Sequence, residues 1–288
     1  MMPGGFGGFA IVIAICGGVL GLLVGSFLNV VVYRVPNGLS IVSPPSACPR
    51  CGAGIRPYDN VPVLSWLLLR GKCRACRAPI SRRYPLVELG AGIAFAAVTL
   101  WVVSTGSTTG IVWTTGIGLI GRILILIAYL YLAAVSIALA LTDIDAHRLP
   151  NAIVLPGYVA GAVLFGAAGI IGGDLGALVV AAIGMVALWA GYLVMALAYP
   201  GGMGFGDVKL AGVLGLFLGY LGWGALVVGA FAAFLLGGIF ALGLVAAGRA
   251  NRKSGIPFGP WMLAGAWVGI FFGAPVWDGY LTLLGVQQ

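Results

Sequence analysis

Charge is nearly missing from this sequence. Only 8% of its 288 residues are Asp, Glu, Lys or Arg, with seven acids against 15 bases. A soluble domain cannot clothe itself with so little charge when 61% of the chain is hydrophobic, so a water-exposed globular fold is excluded. Histidine is scarcer still. His147 stands alone, and no Ser–His or Cys–His pairing is evident, which argues against nucleophilic catalysis of those kinds. The first residues are Gly-rich and carry no basic cluster, so no cleavable signal is expected and the first apolar run should persist.

What remains is a chain of apolar runs near the roughly 20 residues that cross a bilayer. They cover Phe9–Tyr33, Leu86–Val103, Arg122–Thr142, Ala152–Ile171 and Ala177–Ala198. Leu210–Ala247 would reach about 57 Å as one helix, against a hydrocarbon core of about 30 Å. A break within Gly219–Gly224 makes two crossings of it and returns Arg249, Arg252 and Lys253 to the face of the other bases. A last span begins over Ile256–Phe272. The expected fold is an all-α polytopic membrane protein of about eight transmembrane helices. Both ends then lie outside, a Gly/Thr-rich external loop covers Ser104–Gly121, and every base except Arg122 is cytoplasmic. The 49 glycines suit close packing of such helices. The net charge of +8 does not imply nucleic acid, because the bases gather between spans. Cys16, inside the first span, is expected to be a small buried packing residue.

Arg34–Pro85 is polar, holds nine bases and has Asp59 as its one acid. It contains two C-x-x-C knuckles, Cys48-Pro49-Arg50-Cys51 and Cys73-Arg74-Ala75-Cys76. In a reducing cytoplasm a disulfide is disfavoured, and four thiolates suit one tetrahedral Zn2+. Such a closed site is structural and would staple a segment too small for a large core. Unpaired cysteines or a redox pair are the other readings. The division expected is 1–33 as first span, 34–85 as cytoplasmic tetracysteine domain and 86–288 as the rest of the membrane part.

An ionisable residue at a membrane boundary points to function. Asp143 closes one apolar run, and Asp207, in Gly204-Phe205-Gly206-Asp207, precedes another. Both fall at cytoplasmic ends of spans. Two carboxylates in reach of each other hold one proton between them. The ionised partner can then activate water while the neutral one polarises a carbonyl. Asp143 lies near the negative end of its helix dipole and Asp207 near a positive end, so helix polarity sets the two apart. Asp145 is the rival of Asp143 but lies further out, near His147 and Arg148. Gly204 and Gly206 are expected to leave room for a substrate backbone.

These residues resemble the type IV prepilin peptidases, membrane aspartic proteases with a GxGD motif. The likeness runs through Gly25–Arg34, the Cys48–Cys76 segment with Asp59–Trp66 inside it, Ser81–Glu88, Asp143–Asn151, Gly204–Lys209 and Pro257–Pro260. It implies that residues 86–288 form the protease domain, with Asp143 and Asp207 catalytic and Cys48, Cys51, Cys73 and Cys76 as metal ligands. It also implies a bacterial inner-membrane location with the active site at the cytoplasmic face. The implied substrates are prepilins or pseudopilins with a short basic leader and an apolar stem. N-methylation of the new amine from S-adenosylmethionine is implied as well, although no strand-associated Gly-rich turn marks a donor site and its residues stay unassigned. Gly202 departs from a position that is often acidic in the family.

A proton- or ion-coupled transporter is the rival from another class. It would spread its acids across the membrane and leaves the cysteine knuckles without a role. A presenilin-like GxGD protease would not explain the cysteines, and a non-catalytic assembly scaffold would need no carboxylate pair.

Overall fold

The computed structural model describes residues 4–104, 118–199, 203–249 and 257–285. Most of the expected external loop, Gly202, Arg252, Lys253 and Ile256 lie outside them. The described residues are helical apart from turns and two isolated β-bridges. Among the described residues, seven helices are long and apolar enough to cross a membrane. The chain is therefore a multi-pass membrane protein. It divides into two compact units, Met1–Ser104 with Tyr129–Ala138, and Thr105–Ala128 with Leu139–Gln288.

The first unit is built on α1 (Gly4–Arg34) and α3 (Arg83–Ser104). Gly17, Gly21 and Gly25 recur every fourth residue and put one bare stripe of α1 against α3. A Cβ on Gly21 would stand 2.5 Å from the Ala91 carbonyl oxygen, and one on Gly25 2.7 Å from the Glu88 Cα. Gly21→Leu is therefore expected to force the helices apart and remove about 3 kcal/mol of stability, read as a lower melting temperature in detergent. Cys16 is exposed, not buried, because it is offset from the glycine stripe by one residue, or about 100° around α1. From the middle of α4 (Leu119–Ala146), Tyr129 sets its ring edge-on to Trp101 at 5.4 Å.

Between α1 and α3 the polar segment folds on local hydrogen bonds. Arg34 ties its start by donating to the carbonyls of Ser40 and Pro44. A short 3₁₀ turn, Pro57–Asp59, precedes α2 (Leu64–Leu68). Val63, at φ 60° and ψ −50°, is the centre of a strained γ-turn closed by the Leu64 N–H on the Pro62 carbonyl. A β-branched residue there costs about 1–3 kcal/mol. The buried Glu88 of α3 holds it, accepting the Val63 N–H at 2.7 Å. Trp66 lies over Gly71, whose φ of +66° and missing side chain allow the approach, and donates to the Ile80 carbonyl at 3.2 Å.

The second unit gathers around α7 (Phe205–Tyr220), buried from Asp207 to Tyr220 except at Lys209. Helices α5 (Asn151–Gly172), α6 (Leu175–Ala198), α8 (Trp223–Ala246) and α9 (Gly259–Leu283) all touch it. α6 meets α7 where Gly184 faces Gly215 and Gly219 faces Val180. α8 meets α9 where Gly269 and Gly273 face Ala225. α7 has 16 residues, about 24 Å, and starts inside the GxGD motif, five residues before the expected Leu210. The expected break follows it, with Gly222 at φ +104° between α7 and α8. Asp174 caps α6 by accepting the Ala177 N–H at 3.0 Å, so Gly173 and Asp174 make the tight α5–α6 turn.

Candidate active site and metal centre

α4 continues one turn past the expected end, to Ala146, and closes on His147 in a left-handed conformation. Asp143 thus lies in the last turn of α4, and its carbonyl accepts the His147 N–H at 2.9 Å. The side chain is 6% exposed. Its Oδ2 accepts the Gly259 N–H at 3.1 Å, a bond spanning 116 residues. Gly259 opens α9, and its N–H has no partner within that helix. Asp143 therefore caps α9.

Asp207 stands in the first turn of α7 and is 9% exposed. Its Oδ2 accepts the Gly204 N–H at 3.1 Å, while its own N–H donates to the Gly204 carbonyl at 3.0 Å. Each candidate carboxylate is thus fixed by one glycine amide and faces the N-terminus of a helix. The polarity difference expected from the helices that carry them is offset for Asp143 by α9. Asp145 is exposed, as its place two residues further on implied.

Leu149 is the residue that sequence reasoning passed over. A Cβ on Gly206 would stand 3.0 Å from the Leu149 Cβ, and one on Gly259 3.3 Å from its Cδ2. One leucine therefore fills the gap between the glycine beside Asp207 and the glycine that holds Asp143. The room expected at Gly206 for a substrate is taken by this side chain. Gly206→Val is expected to lose cleavage through overpacking, by about 1–3 kcal/mol. Leu149→Ala in the same protein removes the Cγ and Cδ1 atoms 3.6 and 3.5 Å from that position and should restore part of the rate in a prepilin assay.

A second tie joins the same elements. Pro150 and Asn151 start α5, and the Asn151 Oδ1 accepts from Lys209 Nζ at 3.0 Å. The ammonium also lies 5.5 Å from the Phe205 ring centroid, and the Tyr158 hydroxyl donates to the Lys209 carbonyl. Asn151 and Gly259 were visible in the sequence only as parts of short motifs, with no partner named.

In the polar segment the four cysteines come together, with all four sulfurs within 4.8 Å of one another. The two knuckles share one pattern. Cys48 N–H donates to the Ala53 carbonyl and Gly52 N–H to the Cys48 carbonyl; Cys73 N–H donates to Ala78 and Arg77 N–H to Cys73. Gly52 and Arg77, four residues after the first cysteine of each, are both left-handed, at φ +70° and φ 60°. Matching bridges join Ala47 to Gly54 and Lys72 to Pro79. Asp59 braces the second knuckle by accepting three bonds from Arg74, Nε to Oδ1 at 3.0 Å and to Oδ2 at 2.9 Å, and Nη2 to Oδ1 at 2.6 Å. The Arg74 guanidinium holds that carboxyl below its ordinary range. The backbone amides of Arg50 and Cys51 bring the Cys48 thiol down to about 6. The Ala53 amide lowers Cys51, but the sulfurs of Cys76 and Cys48 outweigh it and push it up to about 11. The Cys48 and Cys51 thiols are thus driven in opposite directions, a conflict that a cation removes. The cluster can hold a metal ion.

Comparison with known proteins matches two stretches of the chain. Residues 19–102 match the Bacterial Peptidase A24 N-terminal domain, and residues 130–242 match the Type IV leader peptidase family. The chain is 33% identical to a prepilin leader peptidase/N-methyltransferase of Stutzerimonas stutzeri, with 93% of each chain covered. It is 35% identical to one of Pseudomonas aeruginosa, with 95% of each covered, and 36% identical to one of Burkholderia pseudomallei, with 93% of this chain and 87% of that one covered. No solved structure matches it. A membrane bundle with two buried carboxylates at helix ends and a tetracysteine segment between its first two spans thus also shares most of its length with the leader peptidases, and the chain belongs to the type IV leader peptidase family.

Proposed function

We propose that the protein cleaves the short basic leader from prepilins or pseudopilins at the cytoplasmic face of the bacterial inner membrane, with Asp143 and Asp207 as its catalytic pair. The observation that carries this is the arrangement of two buried carboxylates, each held by a glycine N–H at a helix N-terminus, with Leu149 packed against both Gly259 and the glycine beside Asp207. One proton is shared between them. The ionised carboxylate takes a proton from water as the water oxygen bonds to the scissile carbonyl carbon. The neutral carboxylate gives its proton to the carbonyl oxygen. When the tetrahedral intermediate collapses, the C–N bond breaks and the departing nitrogen takes a proton from the protonated carboxyl, while one hydroxyl of the intermediate gives its proton to the other carboxylate as the C=O re-forms, so the pair again holds one. No step needs a covalent enzyme intermediate. A transporter would need acids at several depths, whereas both of these lie at helix ends and are capped onto helix N-termini, Asp143 on α9 and Asp207 on α7.

In this reading residues 34–85 form a cytoplasmic domain around a structural Zn2+ held by Cys48, Cys51, Cys73 and Cys76. The fit is geometric. Sulfurs about 2.3 Å from a tetrahedral zinc lie about 3.8 Å apart, and the Cys48 and Cys76 sulfurs are 3.8 Å apart. With four thiolates no position is left for water, so zinc there takes no part in hydrolysis. The protein would also methylate the new N-terminal amine, with S-adenosylmethionine as donor. The described residues form no sheet with a Gly-rich turn to cradle that donor, and no step is derived through it.

The test is to incubate the membrane-embedded protein with a prepilin and a methyl-labelled donor. Leader loss followed by label on the mature N-terminus is the expected result. An intact leader after incubation with folded, metal-loaded protein would overturn the proposal.

A further inference from the structure

The polar segment carries an apolar face that neither the proposed catalytic pair nor the metal site uses. In α2, Leu64, Leu67 and Leu68 lie at i, i+3 and i+4 and share one side of the helix. They are 59%, 57% and 82% exposed. The opposite side is the one that packs on the segment itself. Ser65 donates to the Tyr58 carbonyl, and Trp66 covers Gly71 and reaches the Ile80 carbonyl. The leucines therefore point away from the body of the segment.

Their height relative to the membrane is fixed by Glu88. α3 is a membrane-spanning helix that begins at Arg83, and Glu88 lies about 8 Å further along it. The Val63 N–H, immediately before α2, bonds to that carboxylate. α2 thus starts beside the second turn of a span, at the depth where interfacial helices bury their apolar side, about 5–10 Å into the headgroup and acyl boundary. Charge selects the lipid. Arg70 and Lys72 follow α2 directly and are exposed, and Arg82 and Arg83 stand at the mouth of α3. The one acid of the segment, Asp59, is paired with Arg74.

We infer that α2 is an interfacial helix, with Leu64, Leu67 and Leu68 seated in the acyl boundary and Arg70 and Lys72 on the headgroups of anionic lipid. The segment between α1 and α3 is then held to the membrane at three places, its two ends and α2. Exposed leucines that would invite aggregation in water become an anchor.

The experiment places benzoylphenylalanine at Leu68 in the full-length, metal-loaded protein, reconstituted in nanodiscs of phosphatidylglycerol and phosphatidylcholine. Illumination should give a lipid adduct at position 68, as it should at Leu89 on the exposed side of α3, and none at Ala75 in the second knuckle. Arg70→Gln with Lys72→Gln, or nanodiscs of phosphatidylcholine alone, should lower the adduct at 68 by about fivefold and leave that at 89 unchanged. No lipid adduct at 68, with lipid captured at 89 and metal retained, would overturn the inference. A cross-link from 68 to a second copy of the chain would overturn it in favour of a protein interface. Equal yields with and without anionic lipid would overturn the role given to Arg70 and Lys72.

Discussion

Asp143→Asn and Asp207→Asn should each leave prepilin uncut while the protein keeps its fold and its metal. One general acid or base typically supplies about 10²–10⁴ in rate. Members of a unit lose nearly the whole of its effect when either is removed, so each substitution should slow cleavage by about 10⁴ or more. The fold should survive because Asn retains an oxygen acceptor. The Gly259 N–H can still donate to residue 143 and the Gly204 N–H to residue 207. Asp145→Asn should keep substantial activity, since Asp145 is exposed and outside the pair. The measurement is leader loss on a gel, beside metal content and melting temperature. An inactive Asp145→Asn protein with an active Asp143→Asn protein would reassign the first carboxylate. The wild-type rate should fall on both sides of the pH at which the pair holds one proton, and the two limbs belong to the pair.

Cys48→Ser and Cys76→Ser should each release the metal and open the segment between α1 and α3 to proteases. A structural zinc contributes about 10–16 kcal/mol of apparent binding free energy at neutral pH, which three thiolates cannot supply in full. The segment has only short 3₁₀ and α-helical turns of its own, so little else closes the two knuckles on each other. Proteolysis is assigned to carboxylates in the other compact unit, so leader cleavage should decline less than methylation. Elemental analysis and limited proteolysis read the first effects, and the labelled donor reads the last. Carefully prepared wild-type protein without zinc would remove the basis of this expectation.

Much of this was legible because membranes and metals impose local rules. Spans announce themselves by length and composition, and the break near Gly222 by a run too long for one crossing. Two C-x-x-C knuckles announce by spacing alone the cluster of four sulfurs. Asp143 and Asp207 stood out because acids are rare beside apolar runs. What was hidden depends on distant contacts. Nothing in Pro257-Phe258-Gly259-Pro260 says that one amide reaches Asp143 across 116 residues. Leu149 looked like one more apolar residue, and the glycine beside Asp207 looked like space for a substrate. The spare volume at Gly206 was readable; what fills it is decided by how the link between α4 and α5 meets the start of α7. Cys16 was misplaced for a similar reason. Composition shows that a helix is packed, but only the glycine stripe shows on which side.

The leucine between the two halves of the site has a consequence for how the pair tolerates its own chemistry. In the proposed mechanism protons arrive at and leave the carboxylates in every turnover, and any polar strut between them would tighten or slacken with each transfer. Dispersion contacts from an aliphatic side chain do not depend on protonation or on salt. With Leu149 against Gly206 and Gly259, the gap between the two frames is kept by a spacer that does not respond to charge. The electrical state of the pair can therefore change while its mechanical separation stays constant.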